Sequence, residues 1–169
     1  MNKEGVLRKM SNNNNLELHE KLAKHTFNKT WDYLDKKDRT EEDNLNMIHT
    51  VHTSRYHWGV LVSNGKGGPI NLQRGEWIIS RVYITLERGE AALYHAKKCL
   101  ELTEKNKIED FDLAFAYEAM ARAFALLKDK KEFDKYNNLA IKAGEKIKKK
   151  DDKDYFFGEL EGGLWFGMK

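Results

Sequence analysis

The feature that most constrains this chain is an internal repeat of about 40 residues. Residues 76–102 align with residues 116–143 so that Trp77 falls on Tyr117 and one predicted turn falls on the other. Each unit has large residues in its first half and small residues late in its second half. A repeat of this length, with a turn near its middle, predicts helix hairpins that bury their apolar faces by stacking on one another.

The rest of the chain is also predicted to be helical, because its 169 residues contain only one proline, Pro69, and no strand-like alternation. The 3.6-residue apolar period predicts helices over residues 16–35, 41–62, 72–87, 90–105, 109–127 and 131–149, with a last short helix from Asp151. A loop is predicted over residues 63–71, which contain three glycines and the proline. Thr40, followed three residues later by Asp43, predicts a capping box at the start of the second helix.

Composition indicates where the chain is ordered and in which compartment it works. Residues 1–15 end in a run of asparagines and are predicted to be a disordered segment, whereas residues 16–169 are predicted to form a single helical-repeat domain. The longest apolar run, "WGVLV" at 58–62, is too short to span a bilayer, and no secretion leader is recognised. The single cysteine, Cys99, cannot form an internal disulfide, so the cytoplasm is the predicted location.

The repeat resembles the tetratricopeptide repeat, in which aromatic and small residues alternate along the first helix and small residues follow along the second. The second unit carries the pattern at Tyr117, Ala121, Phe124 and Ala140. It departs from the pattern at Phe133, where the family has alanine, and the first unit departs at Arg81, where the family has a small residue. The stretches "HTVHTSRYHWG", "LQRGEW" and "DLAFAYEA" are also similar to small bacterial proteins of this helical type.

This resemblance implies an all-α fold. It would be a right-handed stack of about three antiparallel helix hairpins, with residues 16–62 as a degenerate first unit and a short C-terminal capping helix. It also implies a concave surface lined by the first helices, of the kind that holds peptides or other proteins. Within the central helix, 109–127, Glu118 and Arg122 are predicted to lie on the exposed face of this groove.

The densest group of polar and aromatic residues is "HTVHTSRYHW" at 49–58. At 100° per residue, one stripe of the second helix contains Leu45, Ile48, Val51, Arg55, Trp58 and Val62. An arginine in such a stripe requires a carboxylate or a ligand anion, because an unpaired buried guanidinium is very costly. His49 and Tyr56 fall on a second stripe, and His52 falls between the two.

The third helix has a similar cationic and aromatic face. Arg74, Trp77 and Arg81 share one side of it, a spacing that permits guanidinium groups to stack on the indole. Because a glycine-rich loop joins the second and third helices, the two are predicted to be neighbours. The predicted ligand-binding residues of the groove are His49, His52, Arg55, Tyr56, Arg74, Trp77 and Arg81. Such a site would suit a carboxylate, a phosphate or a protein segment.

Other interpretations of this cluster remain open. A structural seam, in which these side chains hydrogen-bond between helices and bind nothing, is favoured for the cluster itself. A small metal-dependent or acid-base enzyme centred on His49, His52 and His57 is the alternative function. His49 and His52 could share an ion, but two ligands do not make a metal site and no nucleophile with an oriented base is visible. The sequence therefore predicts no cofactor, no metal and no catalytic residue.

Two further groups of residues have mainly structural interpretations. The segment "DYFFGELEGGLWFGMK" at 154–169 is predicted to seal the end of the stack. In the alternative, its Phe157, Trp165 and Phe166 pair with a second copy and form a homodimer. His19, His25 and His95 are interpreted as ordinary surface or packing histidines.

The net charge of +3 does not favour nucleic acid as a partner. The function that the sequence supports is non-catalytic: an interaction protein with a protein or peptide partner and no membrane association.

Overall fold

The structure, a computed structural model, describes the backbone from residue 3 and the side chains from residue 15, in both cases to residue 169. Over the described backbone the chain forms seven helices and no strand. They are α1 (Lys3–Leu34), α2 (Glu41–Ser63), α3 (Pro69–Thr85), α4 (Gly89–Lys105), α5 (Asp110–Leu126), α6 (Lys130–Gly144) and α7 (Lys150–Glu161). The prediction of an all-helical chain is confirmed. Among the described residues, no helix has the length and apolar character needed to cross a membrane.

The chain divides into two compact units, residues 1–71 and residues 72–169. They are called unit 1 and unit 2 below, and each is described by itself. The predicted disordered segment, residues 1–15, lies almost entirely outside the side chains that the structure describes and stays a prediction. The assignment of residues 16–169 to a single domain also stays a prediction.

Unit 1 is a hairpin of α1 and α2. The predicted capping box is present: the Asp43 amide donates to the Thr40 hydroxyl at 3.1 Å, and the Thr40 amide donates to the Asp43 carboxylate at 2.8 Å. Small residues bring the two helices close together, since the Ser54 hydroxyl donates to the carbonyl of Ala23 at 2.9 Å. Ala23 itself is completely buried.

Unit 2 contains two successive hairpins, α3–α4 and α5–α6, whose turns are the same. At the end of α3 the Arg88 amide donates to the Tyr83 carbonyl at 2.8 Å, and at the end of α5 the Asp129 amide donates to the Phe124 carbonyl at 3.0 Å. This bond from the sixth residue back to the first is the Schellman motif. The residue at the left-handed position is not glycine in either turn. It is Glu87 in the first and Lys128 in the second.

The helix α5 lies at the centre of unit 2. Six of its alanines are buried, at 114, 116, 119, 121, 123 and 125. Those at 116, 119 and 123 pack with residues of α4, and those at 114, 121 and 125 pack with residues of α6 and α7. Short side chains on both sides allow neighbouring helices to approach closely, so α5 supports both hydrophobic cores of the unit.

Three predicted helix ends are wrong. The helix α1 begins at Lys3, 13 residues before the predicted start at residue 16. The helix α3 begins at Pro69, inside the predicted loop, because proline suits the first helical position, where no amide hydrogen bond is required. The helix α6 ends at Gly144, five residues before the predicted end at residue 149. The chain turns there because Gly144 lies directly against the Phe156 ring and Ile147 is buried in the core. These contacts with α7 were not visible in the local lysine-rich sequence.

Candidate functional site

The four predicted ligand-binding residues of the second helix lie on α2 in unit 1. His49 and Tyr56 are exposed, Tyr56 by 64%, whereas His52 and Arg55 are partly buried. The predicted apolar stripe is correct at Val51 but wrong at its other positions, because the remaining buried residues of α2 are Met47, Ser54 and Leu61. With Val51, these residues fit a seven-residue repeat in which intervals of four and three residues alternate. Arg55 does not fall on this repeat and lies beside the buried face.

A histidine pair joins α1 to α2. The Nδ1 atoms of His19 and His57 are 2.7 Å apart, so one ring donates a hydrogen bond and the other accepts it. Tyr56 flanks the pair, with its ring centroid 5.3 Å from that of His57. Burial lowers the pKa of His57, and the neighbouring His19 lowers it further. His19 had been interpreted as an ordinary histidine, and only the antiparallel pairing of α1 with α2 identifies its partner.

The three histidines of the alternative enzyme function lie in three different environments. His49 is exposed, His52 is partly buried, and the Nδ1 atom of His57 faces His19. Among the side chains that the structure describes, no group of three or more histidine, cysteine, aspartate or glutamate residues is placed to hold a metal ion. Cys99 is buried, and burial raises the pKa of its thiol.

The three predicted residues of the third helix lie on α3 in unit 2, and Arg74 is the first of them. Its guanidinium donates two hydrogen bonds to the Asp112 carboxylate, at 2.7 and 2.8 Å. These bonds raise the pKa of Arg74. The buried Gln73 holds the same region of α5 by donating to the Asp112 carbonyl at 3.1 Å. Arg74 therefore has an anionic partner within the fold.

Arg81 also has carboxylate partners within unit 2. Its Nη2 donates to Glu159 Oε2 at 2.6 Å, and its Nη1 lies 3.7 Å from Glu118 Oε1. Burial opposes the charged form of Arg81, but these two carboxylates outweigh it and raise the pKa. The Trp77 indole, with its ring edge-on to Phe115 at 5.3 Å, donates to Glu118 Oε2 at 3.4 Å. Arg81 and Trp77 thus meet at a single glutamate.

That glutamate and Arg122, one turn further along α5, are buried rather than exposed as predicted. Glu118 is 1% exposed and Arg122 is 2% exposed, and Arg122 Nε donates to the Glu118 carboxylate. The side chains around this cluster, which are Trp77, Ser80, Arg81, Ile84, Glu118, Ala119 and Arg122, leave no room for a water molecule. The prediction of exposure failed because it took into account only the apolar neighbours on α5 and not the carboxylate and carbonyl partners from other helices.

Arg122 also holds the end of α7. Its Nη2 donates to the Glu159 carbonyl at 2.6 Å, and its Nη1 to the Leu164 carbonyl at 3.3 Å. The Glu159 carbonyl belongs to the last turn of α7, where carbonyls have no partner within the helix. The Lys169 ammonium donates to the neighbouring Leu160 carbonyl at 2.6 Å. Two cationic side chains thus complete the hydrogen bonding of this helix end.

The C-terminal segment, residues 162–169, lies against α5 and α6. The Trp165 ring has the Arg122 guanidinium at 4.2 Å on one side, and the Lys169 ammonium is 4.0 Å from its centroid. Phe133 meets it edge-on at 5.8 Å. Phe157 and Phe166 are partly buried against the same core. The aromatic residues near the C-terminus therefore pack within their own chain, and homodimer formation stays a prediction.

A cavity of about 290 Å³ lies near the start of α5 and the end of α6. It is lined by Glu109, Asp110, Leu113, Ala143, Lys146 and Lys148. Both charge signs occur in this lining, and none of the seven predicted site residues belongs to it. Ligand binding by those seven residues stays a prediction. Comparison with protein-family models, curated proteins and solved structures found no match to this chain.

Proposed function

We propose that this chain is a non-catalytic interaction protein that binds a segment of another protein. Its architecture would be a right-handed stack of hairpins resembling tetratricopeptide repeats, in which the first helix of each hairpin contributes to the binding surface. The matching turns after α3 and α5 support that architecture. The binding surface would be the α3/α5/α7 face of unit 2, defined by Trp77 and Arg81 of α3, Phe111 of α5, and Tyr155 and Glu159 of α7.

The observation that carries this proposal is an aromatic group on that face with a partly exposed ion pair beside it. Tyr155 is 50% exposed and stacks on Phe111, with ring centroids 6.2 Å apart and planes 26° apart. One turn along α7, Glu159 pairs with Arg81. Aromatic residues with arginine are typical of the sites that contribute most to protein binding.

A protein segment is preferred over a small anion because the guanidinium groups of α3 already have anionic partners. Arg74 is bound to Asp112, and Arg81 is bound to Glu159 and lies near Glu118. A small anion would have to displace a carboxylate held at short distance. A peptide can instead use the aromatic rings and the edges of these ion pairs. On α2 in unit 1, we retain His49, His52, Arg55 and Tyr56 as proposed partner contacts, since Tyr56 and His49 are exposed.

The test is a selection of random displayed peptides on the immobilised full chain, followed by calorimetric titration of the selected peptides. Tyr155→Ala should weaken their binding by about 2 kcal/mol or more, roughly thirtyfold, as for a central aromatic contact. Tyr94→Ala is the matched control, because Tyr94 is an exposed tyrosine on α4. Peptides that bind the wild-type chain and both variants equally, or a failure to select any specific peptide, would contradict the proposal.

A further inference from the structure

Two backbone carbonyls of the C-terminal segment accept hydrogen bonds from other parts of unit 2. The Leu164 carbonyl accepts a hydrogen bond from Arg122 at 3.3 Å, and the Phe166 carbonyl accepts one from the ammonium of Lys128. Arg122 and Lys128 belong to α5 and its following turn. Hydrogen bonds to backbone carbonyls do not depend on the side chains of the segment, so they could be offered to any peptide with the same backbone path.

One side chain of the segment is almost completely buried against α5 and α6. Trp165 is 6% exposed, with the Arg122 guanidinium over its face and the Phe133 ring at its edge. The preceding residue, Leu164, is 47% exposed. A guanidinium over an indole face is a favourable cation–π contact, and it is stronger when water is excluded. We call Arg122, Lys128 and Phe133 the tryptophan slot.

The slot also restricts the residue that precedes Leu164. Gly163 has φ +79°, and a Cβ atom added to it would lie 2.5 Å from Arg122 Nη1. Any other residue would meet both the strain of the left-handed conformation and this close contact. A segment that fits the slot therefore needs a glycine two positions before its tryptophan.

We propose that the tryptophan slot is a peptide-binding site, with residues 162–169 as its resident ligand. A segment of another protein that follows the same backbone path, with glycine two residues before tryptophan and a turn after it, would take the place of the resident segment. This inference goes beyond the proposed function, because it assigns a second peptide-binding site to unit 2. It concerns Arg122, Lys128 and Phe133, whereas the test of the proposed function concerns Tyr155.

Because residues 162–169 occupy the tryptophan slot, they must reduce the affinity of the chain for any added peptide. The resident segment is attached to α7 by the chain itself, so its effective concentration at the slot is high, of the order of millimolar for a short flexible linker. The observed affinity of a competitor falls in proportion to the fraction of chains with an open slot. Removing the indole of Trp165 should open the slot and increase the affinity for an added peptide.

The test uses the full chain with Trp165→Ala and an acetylated peptide with the sequence of residues 162–169, followed by titration calorimetry. Far-UV circular dichroism first establishes that the variant is folded. One peptide should bind per chain, with an affinity at least about tenfold higher than for the wild-type chain. A peptide with alanine in place of tryptophan is the control and should bind at least about tenfold more weakly.

Absence of binding to the folded variant, equal binding to wild type and variant, or equal binding of the two peptides would overturn the inference. If Trp165→Ala does not fold, the same titration is made with Gly163→Ala. This variant keeps the indole, but its added methyl group lies too close to Arg122. That variant should bind the added peptide more tightly than the wild-type chain does, and equal or weaker binding would overturn the inference. Tyr155→Ala, made together with Trp165→Ala, should leave the peptide affinity unchanged, which separates this test from that of the proposed function.

Discussion

Glu118 and Arg122 form an ion pair one helical turn apart on α5, and both are almost completely removed from solvent. Two charges in such a position are stable only when further polar groups complete their hydrogen bonding. Glu118 also accepts from the Trp77 indole, and Arg122 donates to two backbone carbonyls. The pair therefore ties α3, α7 and the C-terminal segment to the central helix.

Glu118→Gln should strongly destabilise the protein. It removes the negative charge and leaves Arg122 buried with its positive charge uncompensated, which typically costs about 3–5 kcal/mol. The free energy of unfolding, measured by urea denaturation, gives the result. Glu101→Gln is the control, because the ion pair of Glu101 with Lys98 is exposed and should contribute little to stability. Similar values for the two variants would contradict the structural role of Glu118.

Two glycine substitutions should have opposite effects. A Cβ atom at Gly144 would overlap the ring of Phe156, which is completely buried and cannot move aside easily. Gly144→Ala should therefore lower the free energy of unfolding by about 1–3 kcal/mol. At Gly158 on α7 nothing lies within 4 Å of the added atom, so Gly158→Ala should raise it by roughly 0.5–1 kcal/mol. Thermal denaturation of both variants would show whether the signs differ.

His57 should make the stability of the protein depend on pH. Because burial and His19 lower its pKa in the folded chain, the unfolded chain binds the proton more readily. The contribution of His57 is complete above its ordinary pKa of 6.5 and is lost as the pH falls through the lowered value. His57→Gln should therefore reduce the loss of stability between about pH 7 and pH 5. Urea denaturation at several pH values measures this loss, with His49→Gln as the matched control. A pH dependence equal to that of the wild type would refute the prediction.

The left-handed residue after α4 offers a stabilising substitution. Lys107 has φ +52°, and the following amide, of Ile108, donates to the Thr103 carbonyl at 2.9 Å in the Schellman motif. Glycine adopts this conformation without the strain that other residues experience. Lys107→Gly should raise the free energy of unfolding by roughly 0.5–1 kcal/mol. Lys105→Gly is the control, since residue 105 is helical and the substitution there should destabilise. A destabilised Lys107→Gly variant would show that the lysine side chain contributes more than its backbone strain costs.

Local features of the fold could be predicted from the sequence. The capping box at Thr40 depends on residues three apart, and the turns after α3 and α5 depend on bonds between residues five apart. Both are set by short-range chemistry, which a single sequence displays directly. The predicted register of the repeat is wrong by one residue, since the turns match Glu87 with Lys128, 41 residues apart, and not Arg88 with Lys128. The exact residues of these turns were harder to predict, because Glu87 and Lys128 occupy the position where glycine usually marks a helix end.

The partners of the candidate site residues could not be predicted in the same way. Arg81 pairs with Glu159, which is 78 residues away, and His19 meets His57 across 38 residues. Helical periodicity indicates which side of a helix a residue occupies, but not which residue faces it on another helix. The requirement for an anion was stated for Arg55 on α2, and there it stays a prediction. For Arg74 and Arg81 the carboxylates of the protein supply an anion.

The burial of Arg122 has a consequence for synthesis on the ribosome. Its hydrogen-bond partner Leu164 is 42 residues further along the chain, so α5 is made well before the group that completes its polar contacts. With translation at about 5–20 residues per second, the nascent helix waits several seconds in a partly unsatisfied state. Unit 2 can therefore finish packing only after residues 159–164 have left the exit tunnel.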